Sequence, residues 1–210
     1  MCMKTLTMLD RFTILSAVFF LLVFVACKKS NNSGNTSGPN PLTGSWTFTA
    51  ETSNANITAT ESLGPISVNV LALVDLRTID NAGTFTFSAD SLQGIGVGYT
   101  IDTTYATYIT TGGITDTTVS PLMTTVAPTN SEASYQLIGQ DSIYFPNGSP
   151  FAVSVDTSQP PVEIKGAHFS ISGSTLTLTS TFTQTGNETV DGITAPTTAQ
   201  ISSVITMTKQ

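Results

Sequence analysis

Of the 210 residues only two are cysteine and one is histidine. Cys2 and Cys27 allow at most one disulfide, so no cysteine framework holds the chain together. Zinc takes three or four His, Cys or carboxylate ligands, and His168, the sole imidazole, falls on the polar side of its segment. Charge is scarce too: 10% of residues are Asp, Glu, Lys or Arg, against ~25% in a typical soluble domain. Seven basic residues are dispersed among fourteen acidic ones, for a formal net charge of −7. That balance offers no electrostatic footprint for nucleic acid. The sequence has no Gly-x-Ser-x-Gly elbow for a serine nucleophile. It has no calcium loop of alternating Asp or Asn ending in Glu. Its scattered acids single out no facing carboxylate pair for glycoside hydrolysis. Gly94-Ile95-Gly96-Val97-Gly98 carries the glycines of a phosphate loop but sits in a strand pattern with no helix start after it. Asn187-Glu188 and Asp191-Gly192 read as solvated turns. The chain is therefore read as a non-enzyme with no metal site and no cofactor.

Long apolar runs are missing as well. A bilayer-spanning helix needs about 20 apolar residues, and the longest run, residues 12–26, has fifteen, with only Thr13 and Ser16 polar. Lys4 and Arg11 precede it, and small Ala26 ends it. A basic start, a short apolar core and a small residue at the end describe an export signal. Phe24-Val25-Ala26-Cys27 resembles the lipobox of bacterial lipoproteins. That resemblance implies cleavage after Ala26, a diacylglyceryl group on the Cys27 sulfur, and a membrane as partner through that lipid. Residues 1–26 are then a signal peptide, and residues 27–43 the lipidated cysteine and a flexible tether. Asn, Ser, Gly and Pro dominate residues 28–43. Such coil has an r.m.s. span of roughly 20–24 Å and stretches to about 55 Å.

Residues 44–210 are one domain's worth of chain. From Ser45 the pattern alternates, with Trp46, Phe48 and Ala50 on one side and Thr47, Thr49 and Glu51 on the other. Even positions from Ile66 to Leu76 make a fully apolar face, and the β-branched content favours a strand. Asp80-Asn81-Ala82-Gly83 reads as a turn. Short strands are predicted at 84–88, 94–101, 105–110, 134–138, 142–145, 151–155, 162–164, 167–171, 175–184 and 201–208. Residues 111–133, 156–161 and 186–198 read as irregular. No segment has a strong helical period, so the domain is all-β, an antiparallel barrel or a β-sandwich.

Thr43-Gly44-Ser45-Trp46, opening the first strand after a polar tether, resembles the Gly-x-Trp start of lipocalin-like domains found in exported lipoproteins of the Bacteroidota. Residues 168–179, HFSISGSTLTLT, resemble a hairpin that recurs in those proteins. The resemblance implies a lipocalin-like barrel over residues 44–210, with Gly44 and Trp46 as structural residues. In the family that Trp packs across the closed end, often against an Arg of the last strand. Here the last strand offers Lys209, and the family's Thr-Asp-Tyr motif has only Thr104-Tyr105 as its nearest counterpart.

A barrel of this kind implies a small apolar ligand, placed here near Phe85, Phe87, Tyr99 and Phe182. The expectation is a monomeric, lipid-anchored envelope protein of the outer membrane. Lys28-Lys29-Ser30-Asn31 lacks the acidic residues that follow the cysteine in surface-exported lipoproteins of that group, so the protein is read as periplasm-facing, with the cell surface as the alternative. The competing function is a surface β-sandwich that binds glycan or protein partners through Tyr105, Tyr108 and Tyr144. The anchor is testable. A Cys27→Ala variant should partition into the soluble fraction and lose labelling by a palmitate analogue; continued membrane association would point to an uncleaved signal anchor.

Overall fold

The computed structural model describes residues 40–63, 66–151, 164–190 and 193–210. Cys27, the signal, most of the tether, residues 152–155 and 162–163 of two expected strands, and the expected loop at 156–161 lie outside the described residues. The described chain is all-β and antiparallel. Its strands are β1 (Gly44–Leu63), β2 (Ile66–Phe87), β3 (Ser91–Thr111), β4 (Ile114–Ser134), β5 (Gln136–Ile138), β6 (Ser142–Tyr144), β7 (Gly166–Ser172), β8 (Thr175–Val190) and β9 (Ile193–Lys209). They form one nine-stranded sheet in the order β4-β3-β2-β1-β9-β8-β7-β6-β5.

Several strands are much longer than the sequence pattern predicts. Residues 111–133, expected to be irregular, mostly form β4, paired with β3 from Thr111↔Ile114 to Ser91↔Ser134. β4 is an edge strand, so the missing N–H of Pro121 and Pro128 is tolerated there, as it would not be in a strand paired on both sides. Residues 186–198 carry the hairpin of β8 and β9, paired out to Val190↔Ile193. The expected turn at Asp80–Gly83 is instead an irregularity inside β2, with Asp80 at φ 52° and Gly83 at φ 99°.

The sheet is not closed into a barrel, which corrects the barrel expectation: β4 and β5 lie at opposite edges of the ladder. Yet those two edge strands are joined by Tyr135 alone. Laid flat, nine strands would set the outer two about 38 Å apart. Ser134 and Gln136 can be at most about 7 Å apart. The sheet must therefore curl round at this end, bringing its edges together without hydrogen-bonding them. Tyr135 is tied down at the joint. Its N–H donates to Asp90 O at 2.9 Å, and its hydroxyl donates to Ser88 O at 2.6 Å and accepts from Asn40 Nδ2. Its ring meets Phe87 edge-on at 5.7 Å.

The curl encloses the main core, which includes Trp46, Phe48, Phe85, Phe87, Leu92, Phe145, Leu176 and Met207. Trp46 is fully buried, and its Nε1 donates to Leu42 O at 2.7 Å. Lys209 Nζ stands 5.3 Å over the Trp46 ring, so the last strand does supply a cation to it. Past the short β5–β7, the strands β1–β4, β8 and β9 run on as an extension. β7 leaves β8 at Thr179, while β8 continues beside β9. A second small cluster of Ala55, Val74, Ala199 and Ile201 floors that extension.

The joint makes a stability prediction. Tyr135→Phe keeps the ring and removes the hydroxyl, leaving Ser88 O with only the longer 3.3 Å bond from Asn40 Nδ2 and Asn40 without its Tyr135 acceptor, and should cost about 1–2 kcal/mol. Tyr135→Ala opens a core cavity and should cost about 3–5 kcal/mol. Urea unfolding of the two variants measures both losses, and equal losses would mean that ring packing does not hold the joint.

Candidate functional site

Four adjacent strands are irregular at one level of the sheet. Register shifts fall between Phe48 and Ala50 in β1, between Ile79 and Thr84 in β2, and between Gly94 and Tyr99 in β3 facing β4. A bulge adds an unpaired residue, bends its strand and increases local twist. It also switches which side chains face inward, because strand periodicity is two. In β1 the inward residues change from Trp46 and Phe48 to Ser53 and Ala55. In β2 they change from Phe85 and Phe87 to Val74 and Thr78. β8 and β9 keep one parity throughout: Leu176, Leu178 and Ser180 are buried in the first, and Ile201, Ser203, Ile205 and Met207 in the second.

Glycine permits this belt. A Cβ on Gly83 would come within 2.6 Å of Gly96 O and Val97 N, and one on Gly98 within 2.9 Å of Pro128 N. The bulges are stitched by side chains. Thr78 Oγ1 accepts from Glu51 N at 2.8 Å, and Asn81 Nδ2 donates to Thr49 O at 2.9 Å.

Inside the belt lies a cavity of about 40 Å³. Phe48, Glu51, Phe85, Val97, Tyr99, Val126 and Phe151 line most of it, with Thr129, Ser131 and Pro150. The sequence pattern puts Glu51 on the solvent side of its strand. The β1 bulge shifts the parity and turns it inward, which corrects that assignment. Ser203 Oγ donates to Glu51 Oε1 at 3.1 Å. Removal from water pushes the Glu51 carboxyl up to about 7, opposed by that hydrogen bond. Burial first, and the neighbouring Glu51 charge second, push the Tyr99 hydroxyl well above its ordinary value. Phe48 packs edge to face against Phe85 at 6.2 Å and against Tyr99 at 6.0 Å, and the ring of Phe151 lies tilted against Phe85 at 4.9 Å.

Of the four expected ligand residues, Phe85 and Tyr99 line this cavity. Phe87 is buried in the main core against Tyr135, and Phe182 packs against both clusters. Gly44, at φ 125°, opens β1 two residues before the buried Trp46. Glu51, Val126 and Phe151 were missed. The only sequence signal for Glu51 is indirect: the apolar parity of β2 is even up to Leu76 and odd from Phe85, which demands an irregularity between them. At about 40 Å³ the cavity holds roughly three water-sized atoms, against about 300–1,000 Å³ for a drug-sized site.

The expected aromatic face for glycan does not form. Tyr105 packs on the inner cluster, Tyr108 has the opposite parity on the same strand, and Tyr144 stands 39% exposed on β6. His168 is exposed, with Nδ1 3.0 Å from Ser142 Oγ. Among the described residues no three His, Cys, Asp or Glu side chains gather at metal-binding distance. Among the described residues lining the cavity, Glu51 is the one carboxylate, so none of them offers a second carboxylate for acid–base work there. Neither the protein-family models nor the curated proteins compared with this chain give a match.

The Glu51 environment fixes the sign of a pH effect. Its carboxyl is raised in the fold, so the fold binds that proton more tightly than the unfolded chain does. The stability it contributes is full below about pH 4.5 and is lost as pH rises through about 7. Glu51→Gln should therefore be near neutral at pH 4 and stabilising by about 3 kcal/mol at pH 8. Denaturant melts across that range test this, and a pH-independent difference would contradict it.

Proposed function

We propose that this chain is a non-enzymatic, lipid-anchored envelope protein whose β domain carries a small apolar ligand along the inner face of its extension. The observation that carries the reading is the chemistry of that face. Ile57 and Ala59 of β1, Val68, Val70, Ala72 and Leu76 of β2, and Tyr105 and Ile109 of β3 share the inner side and are only partly buried. The outer side of β1 at the same level is Thr52, Asn54, Asn56, Thr58 and Thr60, all exposed. β1 is polar outside, and the inner side of this trough is apolar along β2, with Glu61 at its far end; such a face suits an elongated hydrophobic guest. This moves the ligand away from the aromatic core, where the cavity is too small for it.

The anchor part of the proposal rests on the lipobox resemblance at Cys27 and on the polar tether after it. The membrane in question is the outer membrane, with the domain facing the periplasm. A lipocalin-like ancestry is supported by the Trp46–Lys209 pairing at the curled end. A protein partner is the second reading, favoured by the exposed apolar side chains Ile114, Val119 and Met123 on edge strand β4.

Native mass spectrometry of the purified protein should find a co-purified lipid-like molecule, and a fluorescent fatty-acid probe should bind. Val70→Asp with Ala72→Asp, both in the trough, should weaken probe binding at least tenfold by placing charge against the guest. Absence of any bound apolar molecule together with no probe binding would overturn the reading.

A further inference from the structure

The cavity at the bulge belt combines features that the apolar trough does not use. One carboxylate, Glu51, is turned inward among the rings of Phe48, Phe85, Tyr99 and Phe151. Ser203 engages Oε1, and Glu51 still lines the cavity, so the carboxylate has capacity left for a guest. None of Arg77, Lys165 and Lys209 lines the cavity. Lys209 is over Trp46, and Arg77 is exposed on the outer side of β2. A carboxylate drawn out of water is disfavoured unless a cation or hydrogen-bond donors meet it.

We propose that this cavity is a binding site for the head of a primary ammonium ion, held between the Glu51 carboxylate and the surrounding aromatic faces. Size, charge and wall chemistry agree on that class. About 40 Å³ admits roughly three non-hydrogen atoms, enough for an ammonium nitrogen and its first carbons and too little for a ring or an acyl chain. An ammonium group supplies three donors to a carboxylate. Its charge is attracted to the faces of aromatic rings within about 6 Å. A neutral alcohol of the same length would leave the carboxylate without a counter-charge. An anion would be repelled by Glu51. The guest's remaining carbons lie outside the cavity, which is too small to hold them.

The site is separate from the trough, so its test is independent of the function proposed above. The full-length chain in detergent is titrated by calorimetry with n-butylammonium chloride, with n-butanol as the neutral control. Butylammonium should bind saturably and butanol should not. Glu51→Gln should weaken butylammonium binding at least tenfold, because a charge-assisted hydrogen bond is lost. Phe151→Leu should weaken it by a smaller factor, because one aromatic face is lost. Circular dichroism of both variants establishes that they are folded, and the two substitutions act through different chemistry, so loss of one variant leaves the other. No saturable binding of butylammonium, equal binding of butanol, or unchanged affinity in folded Glu51→Gln would each overturn the proposal. Fatty-acid probe binding should be unaffected by Glu51→Gln; if it falls with butylammonium binding, the two sites are one and the proposal of a separate ammonium site fails.

Discussion

The structure depends on one covalent constraint: the two edge strands of a nine-stranded sheet are separated by a single residue, Tyr135. Backbone reach forces the sheet to curl there, whatever the side chains do. A sheet cannot curl sharply at one end and run on as a broad extension at the other without local irregularity. The bulges of β1 to β4 supply it, at one level, and bulges are the devices by which strands bend and twist more strongly. Each bulge also reverses inward parity. The aromatic core, the inward turn of Glu51 and the cavity beside it are thus consequences of the same closure.

The two zones differ in how they are held. The curled end has large rings packed edge to face and a fully buried Trp46 clasped by Leu42 and Lys209. The extension is floored by small residues such as Ala55 and Ala199, and depends more on strand pairing. With no disulfide described, burial and ladder hydrogen bonds carry the stability, and regions with fewer buried apolar contacts open first. β4 guards the exposed edge of the same zone: Pro121 and Pro128 interrupt its row of donors, which limits pairing with another strand despite exposed Val119 and Met123.

Much of the architecture was legible in the sequence. The alternation of Trp46 and Phe48, and of Val68 through Leu76, shows both strands and their inner faces. The hairpin at 168–179 matches the pairing of β7 with β8 through Ser172↔Thr175. What the pattern hid was strand length. Residues 114–125 are rich in threonine with two nearby prolines, which read as a loop until an edge position removes the need for an N–H on both sides. It also hid the parity switches. Asp80-Asn81-Ala82-Gly83 has the composition of a turn, and its positive φ at Asp80 and Gly83 is real, but the chain continues in its original direction. Local chemistry specifies the backbone dihedrals there, while the neighbouring strands decide whether they make a turn or a bulge. Glu51 was misplaced for the same reason, since one inserted residue in β1 inverts the assignment of everything after it. The Phe85 and Tyr99 positions fell near the cavity because aromatic residues at inward parity gather wherever the sheet curls most.

Where the tether enters bears on how the two binding regions would be presented. Asn40 and Leu42, the last tether residues, are packed at the curled end, against Tyr135 and Trp46. On the proposed anchoring, Cys27 is joined to that end, and the extension points the other way along the sheet. From Glu51 to Leu63, β1 runs about 40 Å beyond the bulge belt at the rise of a strand. The tether's r.m.s. span is about half that. The trough therefore opens well beyond the headgroup layer when the domain stands upright, facing solvent where an apolar guest would be exchanged with a partner rather than with the anchoring bilayer. The ammonium cavity lies nearer the anchor, at the root of the extension. Its carboxylate is, among the described residues, the inward charge at the junction of the two zones, so the protonation and pairing of Glu51 act where the curled core hands over to the trough.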